Sequence, residues 1–535
     1  MSSNRNKPWL ENYDSEVPSN LHYPEIAVPD ILIESAREFP EKIALVQGER
    51  TISYSKLLYE SQQVGIYLIN QGLLTGDRVA LCMQNSIEFV VGYYGILLAG
   101  GVVAALNPTY PVRELELQVS ITKPSFFIGS NATVNKLEML EHEFRRMLQI
   151  KEIEQSTAIS FSIQSVQPET NGENEKEPVP SLPEILPNHG AVLQFTGGTT
   201  GVPKAAVGLH RNIVANVLQF STWLTGLRKG EEVFLTAIPL YHVYGMVIGL
   251  NVGINFGATI VLIENPGEPG KLVEMGEDHK VTVFPGVPAL FNQISKFLID
   301  NNRQKGLSSL KVCISGSAPL PAKTKDMFES LTGSKLVEGY GLSEAPTATH
   351  CNPIKGDNRI GSIGLPLPDV DCKIVSLEEK RISMKHGQIG ELVICGPQIM
   401  AGYFEKDEET RLALESGWLY TGDIAWMDED GFFYIVGRKK ELIKVGGLQV
   451  WPSEIEEIVR QLPGISDCAV KGIPDDELGE IVKVWVVADN TEKITLETIQ
   501  SYCEDKLATY KIPRQLEIID ALPRSFIGKL LRYRL

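Results

Sequence analysis

Cysteine is sparse in this chain and never clustered. The seven residues, Cys82, Cys313, Cys351, Cys372, Cys395, Cys468 and Cys503, are odd in number and form no C-x-x-C spacing. That excludes the pattern of a disulfide framework or a zinc site and points to a reducing compartment. Basic residues are also in deficit: 50 Lys and Arg stand against 67 Asp and Glu, a formal net charge of -17. Holding a nucleic-acid backbone needs the opposite balance, so no nucleic-acid partner is expected. Met1 to Tyr13 is polar and lacks the apolar core of a secretory signal, which leaves a cytoplasmic protein as the expectation. Repeats at solenoid periods are missing as well.

Long hydrophobic runs are few. "FVVGYYGILLAGGVVAAL" (Phe89 to Leu106) is charge-free and close to the lower length limit of a membrane span. Its Ala99-Gly100-Gly101 break suits a helix C-terminus, and Val102 onward reads as a short strand closed by Asn107-Pro108. "MVIGLNVGINFGATIVLI" (Met246 to Ile263) repeats the plan. Both are expected to be buried helix-to-strand passages of an α/β sheet.

What is present is alternation. Amphipathic helical segments separate Val/Ile-rich runs such as "KIALVQG", "RVALCMQN", "KPSFFIGS", "EEVFLTAIP", "VTVFPGVP", "LKVCISGS" and "KLVEGYG". This is an α/β pattern with largely parallel sheets, whose ligands gather at the loops after the strands. Lys151 to about Asn188 is polar, carries proline and has no regular period, so a surface connection is expected there. A second boundary falls at Gly437-Arg438-Lys439-Lys440, giving expected domains of 1–437 and 438–535, the second with its own βαβ pattern. From Lys506 to Leu535 seven Lys or Arg face only Glu517 and Asp520, either a solvated basic face or a tail that meets an anion.

The segment "QFTGGTTGVPK" (Gln194 to Lys204) is rich in the groups that cradle phosphate: backbone N–H groups freed by glycine, threonine hydroxyls and a lysine. It is not a Walker loop, because Lys204 follows Val202-Pro203 and precedes Ala205 instead of Ser or Thr. Taken alone it could equally be a strand-to-strand turn. Four later segments accompany it: "EGYGLSEA" (Glu338 to Ala345), "YTGD" (Tyr420 to Asp423), "GRKKELIKVGGLQVWPSEIE" (Gly437 to Glu456) and "LPRSFIGKLLR" (Leu522 to Arg532).

In that order these motifs resemble the adenylate-forming superfamily of acyl-CoA synthetases, aryl-CoA ligases, luciferases and peptide-synthetase adenylation domains. The resemblance covers almost the whole chain. The doubled glycine of "FTGGTTGVPK", the "PLYH" segment, "GDNRIGSIGLPLPD" and "KPWLENY" are most similar to bacterial long-chain fatty acid-CoA ligases. It implies an α/β fold with a large N-terminal domain of two packed lobes and a small β-barrel-like subdomain, plus a small mobile C-terminal α+β domain. It also implies ATP and CoA as co-substrates, Mg²⁺ as cofactor and a fatty acid as substrate.

Roles follow residue by residue. Thr196, Gly197, Gly198, Thr199, Thr200, Gly201 and Lys204 would hold the β and γ phosphates. Ser317, Ala318, Gly339, Tyr340, Gly341 and Ser343 would line the nucleotide, with Tyr340 against adenine. Glu344 would hold Mg²⁺, with Thr200 as a second candidate ligand. Asp423 would accept the ribose hydroxyls and Arg438 would reach the same region. His242 would lie beside the acyl carboxylate, and Lys529 would bridge that carboxylate and the α-phosphate. Lys440 would be the hinge that exchanges Lys529 for a CoA-side loop of Lys444, Gly446 and Gly447. Glu338 reads as a surface charge outside the site. Gly245, Gly249 and Gly253 could give an acyl tunnel room or serve helix packing. Three departures from the usual pattern, Ala205-Ala206, Ser343 and Glu441, remove no required group. Two other readings stay open: a stand-alone adenylating enzyme that serves a carrier protein or, like luciferase, oxidises its adenylate, and a non-catalytic nucleotide- or acyl-binding homologue. No carrier domain follows Leu535, which favours free CoA. Peripheral contact with the inner membrane face and a homodimer are compatible with this reading.

Overall fold

A computed structural model describes residues 7–130, 132–133, 136, 146–151, 160–164, 181–196, 203–303, 307–380, 382–488, 494–524 and 530–535. The two apolar runs fold as their glycine breaks predict. Ser86 caps the helix Ile87–Leu98 by accepting the Phe89 amide at 3.1 Å, and every side chain of that helix is buried. Gly100 then takes φ +80°, and the chain enters the buried strand Val102–Ala105. The run is apolar all round because protein surrounds it. No helix among the described residues is long and apolar enough to cross a membrane.

The chain divides into two compact units, one of Asn12–Val370 and Gly396–Leu412, the other of Met1–Glu11, Asp371–Cys395 and Ala413–Leu535. The larger unit contains two sheets. In the nine-stranded sheet, Lys335–Leu342, Val312–Ser315, Val283–Gly286, Val233–Thr236, Thr259–Leu262 and Ile43–Gln47 run parallel in that spatial order. Antiparallel strands flank both ends. The eight-stranded sheet is also parallel at its centre, through Gly190–Thr196, Val102–Ala105, Arg78–Cys82 and Phe126–Gly129. Its outer edge departs from expectation. Ser160–Gln164, inside the segment expected to be an irregular connection, is a strand antiparallel to Arg146–Lys151.

The smaller unit has two five-stranded sheets. One is an antiparallel sheet built on Asp371–Val375, Gly390–Cys395, Trp418–Met427 and Phe433–Arg438. The other pairs Ile465–Asp475 with Gly479–Ala488 as a long hairpin; the helix Leu496–Glu504 then returns the chain to Gln515–Ile518, parallel to the second hairpin strand. Val470, Val482, Val484, Ile455 and Ile499 fill its core. Three of the tail's bases meet acids of this same unit: Lys511 with Glu454, Arg524 with Asp467, and Arg532 with Glu441 and Glu456. Of the seven cysteines six are buried and Cys395 is half-buried; all are free thiols.

Candidate active site

In the larger unit, the candidate residues sit where parallel strands end. Strand Gly190–Thr196 pairs antiparallel with Lys204–Leu209, and Thr196 is the register partner of Lys204. The segment is therefore flanked by two strands paired antiparallel, as the strand-to-strand reading expects. Gly197, Gly198, Thr199, Thr200 and Gly201 lie outside the described residues. Thr196 and Lys204 fix the two ends of that connection.

Strand Lys335–Leu342 delivers Gly339, Tyr340 and Gly341, then Ser343 and Glu344. A bulge between Tyr340 and Gly341 re-aims the chain here. Gly341 must be glycine, since a Cβ would stand 1.6 Å from the Thr347 carbonyl oxygen. Tyr340 meets His350 edge-on at 5.8 Å between ring centroids, and burial holds the His350 imidazole down at about 3, so a neutral ring faces it. Val312–Ser315 runs parallel alongside, with Ser315 opposite Glu338, which places Gly316, Ser317 and Ala318 next to Gly339 and Tyr340. Ser317 has φ +68°, a left-handed backbone at a non-glycine residue, of the kind that clusters at ligand sites. Glu338 is buried and not a surface charge; burial pushes its carboxyl up to about 8. The Ser343 hydroxyl reaches the Phe195 carbonyl at 3.4 Å, joining this edge to the phosphate-type hairpin.

Two residues that sequence reasoning passed over complete the arrangement. Tyr403, in the short strand Gly402–Tyr403, donates its hydroxyl to Glu344 Oε1 at 2.9 Å while Lys204 Nζ stands 5.1 Å from its ring centroid. Burial, then the Glu344 charge, holds the Tyr403 phenol well above the usual range. Asn85 is buried between the two sheets: its amide donates to the Thr236 and Ile238 carbonyls and its oxygen accepts the Leu240 amide at 2.7 Å. This pins the "PLYH" loop, on which His242 Nδ1 accepts the Tyr244 amide at 3.2 Å. No sequence signal marks Asn85, and Tyr403 stands in a two-residue strand too short to leave a pattern.

The three glycines considered for a tunnel are consumed by packing. A Cβ on Gly245 would lie 2.2 Å from the Pro239 oxygen, one on Gly249 2.9 Å from Thr236 Cγ2, and one on Gly253 2.9 Å from Ile260 Cδ1.

The smaller unit holds the remaining candidates. Asp423 and Arg438 are register partners joined by an ion pair, Arg438 Nε to Asp423 Oδ1 at 3.0 Å, with Asp423 buried. Glu391 accepts the Gly422 amide at 3.2 Å and the Lys439 ammonium at 2.7 Å. Lys440 is exposed in the turn Lys439–Glu441, and Lys444 is exposed on the strand Ile443–Val445. Gly446 and Gly447 form a two-residue hairpin turn with φ +57° and +83°, a conformation that alone calls for glycine at both positions. Lys529 lies outside the described residues.

A divalent cation fits Glu344 as a single carboxylate shared with nucleotide phosphates and water, the arrangement magnesium favours. No cluster of three or more His, Cys, Asp or Glu able to hold a metal unaided occurs among the described residues.

Largely parallel sheets with polar residues gathered at the strand ends are the architecture in which α/β enzymes place their ligand sites. A family model for AMP-binding enzymes matches residues 32–404, and one for the AMP-binding enzyme C-terminal domain matches 454–529. The chain belongs to this family. It is 37% identical to the long-chain-fatty-acid–CoA ligase of Bacillus subtilis (strain 168), across 99% of this chain and 97% of the relative. It is 35% identical to the long-chain-fatty-acid–CoA ligase of Escherichia coli O157:H7, across 99% and 98%. Among solved structures, ATP-bound MatB from Rhodopseudomonas palustris matches with a TM-score of 0.82 at 26% identity, covering 95% of this chain and 98% of that one.

Proposed function

We propose that the protein activates a fatty acid in two steps, first to an acyl-adenylate with release of pyrophosphate, then to acyl-CoA with release of AMP. It is an AMP-forming acid–CoA ligase, as its full-length likeness to long-chain-fatty-acid–CoA ligases supports. The observation that carries the reading is the meeting of Lys204 and Glu344 around Tyr403 at the mouth of the phosphate-type hairpin. In the first step a carboxylate oxygen bonds to the α-phosphorus while the bond to pyrophosphate breaks. Both reactants are anions, so the protein must neutralise charge and align them. Lys204 and Thr196, with the loop between them, would take the leaving pyrophosphate. Tyr340 and the Ser317-Ala318 turn would face the base, Asp423 the ribose, and His242 the acyl carboxylate. Glu344 would hold Mg²⁺, which when bound supplies charge neutralisation on the phosphates. In the second step the CoA sulfur bonds to the acyl carbon and AMP leaves. Residue 438 onward would act as the mobile domain, pivoting at Lys440 to bring Lys444 and the Gly446-Gly447 turn to the acceptor side. Medium to long acyl chains are the proposed substrates.

The test is a panel of acids of graded chain length with ATP, Mg²⁺ and CoA. Fatty-acid-dependent pyrophosphate and AMP in equal amounts are expected, with a preference for medium to long chains. No acid-dependent pyrophosphate across the panel would refute the reading.

A further inference from the structure

Lys204 and Glu344 carry opposite charge at one edge of the site. Left to themselves, such groups pair and neutralise each other, which would withdraw the lysine from phosphate and the carboxylate from a metal. Tyr403 contacts both: its hydroxyl takes one Glu344 oxygen at 2.9 Å, and its ring takes the Lys204 ammonium at 5.1 Å from the centroid, within cation–π range.

The backbone fixes this tyrosine from both sides. Gly402 and Tyr403 pair with Val207 and Ala206 of the strand that Lys204 begins. The Phe404 amide donates to the Ala205 carbonyl at 2.8 Å and the Ala401 amide to the Val207 carbonyl at 2.9 Å. The Tyr403 amide donates to the Thr410 hydroxyl at 2.8 Å, and that hydroxyl donates to the Lys406 carbonyl. The same segment also grips Glu344 by its main chain, through the Met400 amide on the Glu344 carbonyl at 2.9 Å. The short strand is thus a rigid bracket that carries the phosphate-hairpin lysine on one face of a ring and aims a carboxylate with the hydroxyl.

We infer that Tyr403 is a positioning residue for metal–nucleotide binding, holding Glu344 and Lys204 apart and each aimed at its own ligand. The inference rests on the ligase reading given above for Lys204 and Glu344. Tyr403→Phe keeps the ring and loses only the hydroxyl; Tyr403→Leu loses both contacts.

The experiment is calorimetric titration of ATP into the full chain, with Mg²⁺ and with chelator, followed by the pyrophosphate assay at varied Mg²⁺. Losing a hydrogen bond to a charged acceptor corresponds to about a tenfold or larger effect. Tyr403→Phe is expected to weaken binding of Mg·ATP and raise the Mg²⁺ requirement by about that factor, with metal-free ATP binding and the KM for fatty acid unchanged. Tyr403→Leu is expected to weaken metal-free ATP binding as well. Should the leucine variant not fold, the phenylalanine variant decides alone. Wild-type Mg·ATP affinity in Tyr403→Phe overturns the inference, as does an equal loss with and without metal, which marks a merely structural role. If the wild-type chain releases acid-dependent pyrophosphate and the phenylalanine variant matches it at every Mg²⁺ level, the inference alone falls. A wild-type chain that neither binds ATP nor releases pyrophosphate overturns the ligase reading and this inference together.

Discussion

Glu338 lies two positions before Tyr340, yet the two residues occupy different environments. Tyr340 is half-buried, while Glu338 is enclosed and its carboxyl is raised to about 8 by burial. A carboxylic acid raised in this way favours the folded state when protonated. Its contribution is intact below the unfolded value near 4.5 and is lost as the pH rises through the folded value of about 8. Glu338→Gln keeps the shape and removes the titration. Thermal melts of the two proteins should coincide near about pH 5, and the variant should melt higher by about pH 9. A constant gap across that range would show that Glu338 does not titrate there. Its sequence context favours a surface charge, since acidic side chains are rarely enclosed. Burial of a single acid follows from how neighbouring strands stack, and nothing within its own segment announces it. Tyr403 was illegible for a related reason: its partner Glu344 is 59 positions away, joined by a two-residue strand too short to leave a pattern.

The elements themselves were far more legible. Glycine breaks after apolar runs mark real helix ends, as Gly100 shows, and the runs from "KIALVQG" to "KLVEGYG" are strands of the two large sheets. The strand Ser160–Gln164 escaped because five alternating residues beside a long polar stretch give little periodic signal. The helical segment Gly245–Asn251 carries a subtler lesson. It is a π-helix, and side chains take two of its carbonyls: the Asn251 side-chain amide donates to the Met246 carbonyl at 2.8 Å and the Thr236 hydroxyl to the Gly249 carbonyl at 3.0 Å. Its glycines permit close approach to the neighbouring strand and leave no room to spare. Gly249→Ala should therefore cost about 1–3 kcal/mol by overpacking against Thr236. The measurement is a lowered Tm together with an unchanged chain-length profile on the acid panel. A shifted profile at constant Tm would return this helix to the acyl tunnel.

At the scale of the molecule, a net charge of -17 surrounds a function that gathers anions. The local arrangement bears on both facts, because three of the tail's bases, Lys511, Arg524 and Arg532, are engaged by acids of their own unit while Lys204 stands over the Tyr403 ring. Along the expected hinge, Arg438 and Lys439 are tied to Asp423 and Glu391, and Glu441 to Arg532, so a pivot at Lys440 would have anchored residues on both sides. If the domain beginning at residue 438 alternates between two poses, Lys529→Ala should abolish pyrophosphate release yet still convert supplied acyl-adenylate to thioester. Equal loss of both half-reactions would contradict alternation. The cysteines matter at this scale too. Burial raises every thiol, taking Cys82, Cys313 and Cys468 up to about 12. Cys351, Cys372, Cys395 and Cys503 shift the same way. Disulfide exchange needs an accessible thiolate. A catalyst whose acceptor is itself a thiol is therefore expected to resist capping by that acceptor's oxidised form, so its activity should not follow the redox balance of the pool it draws on.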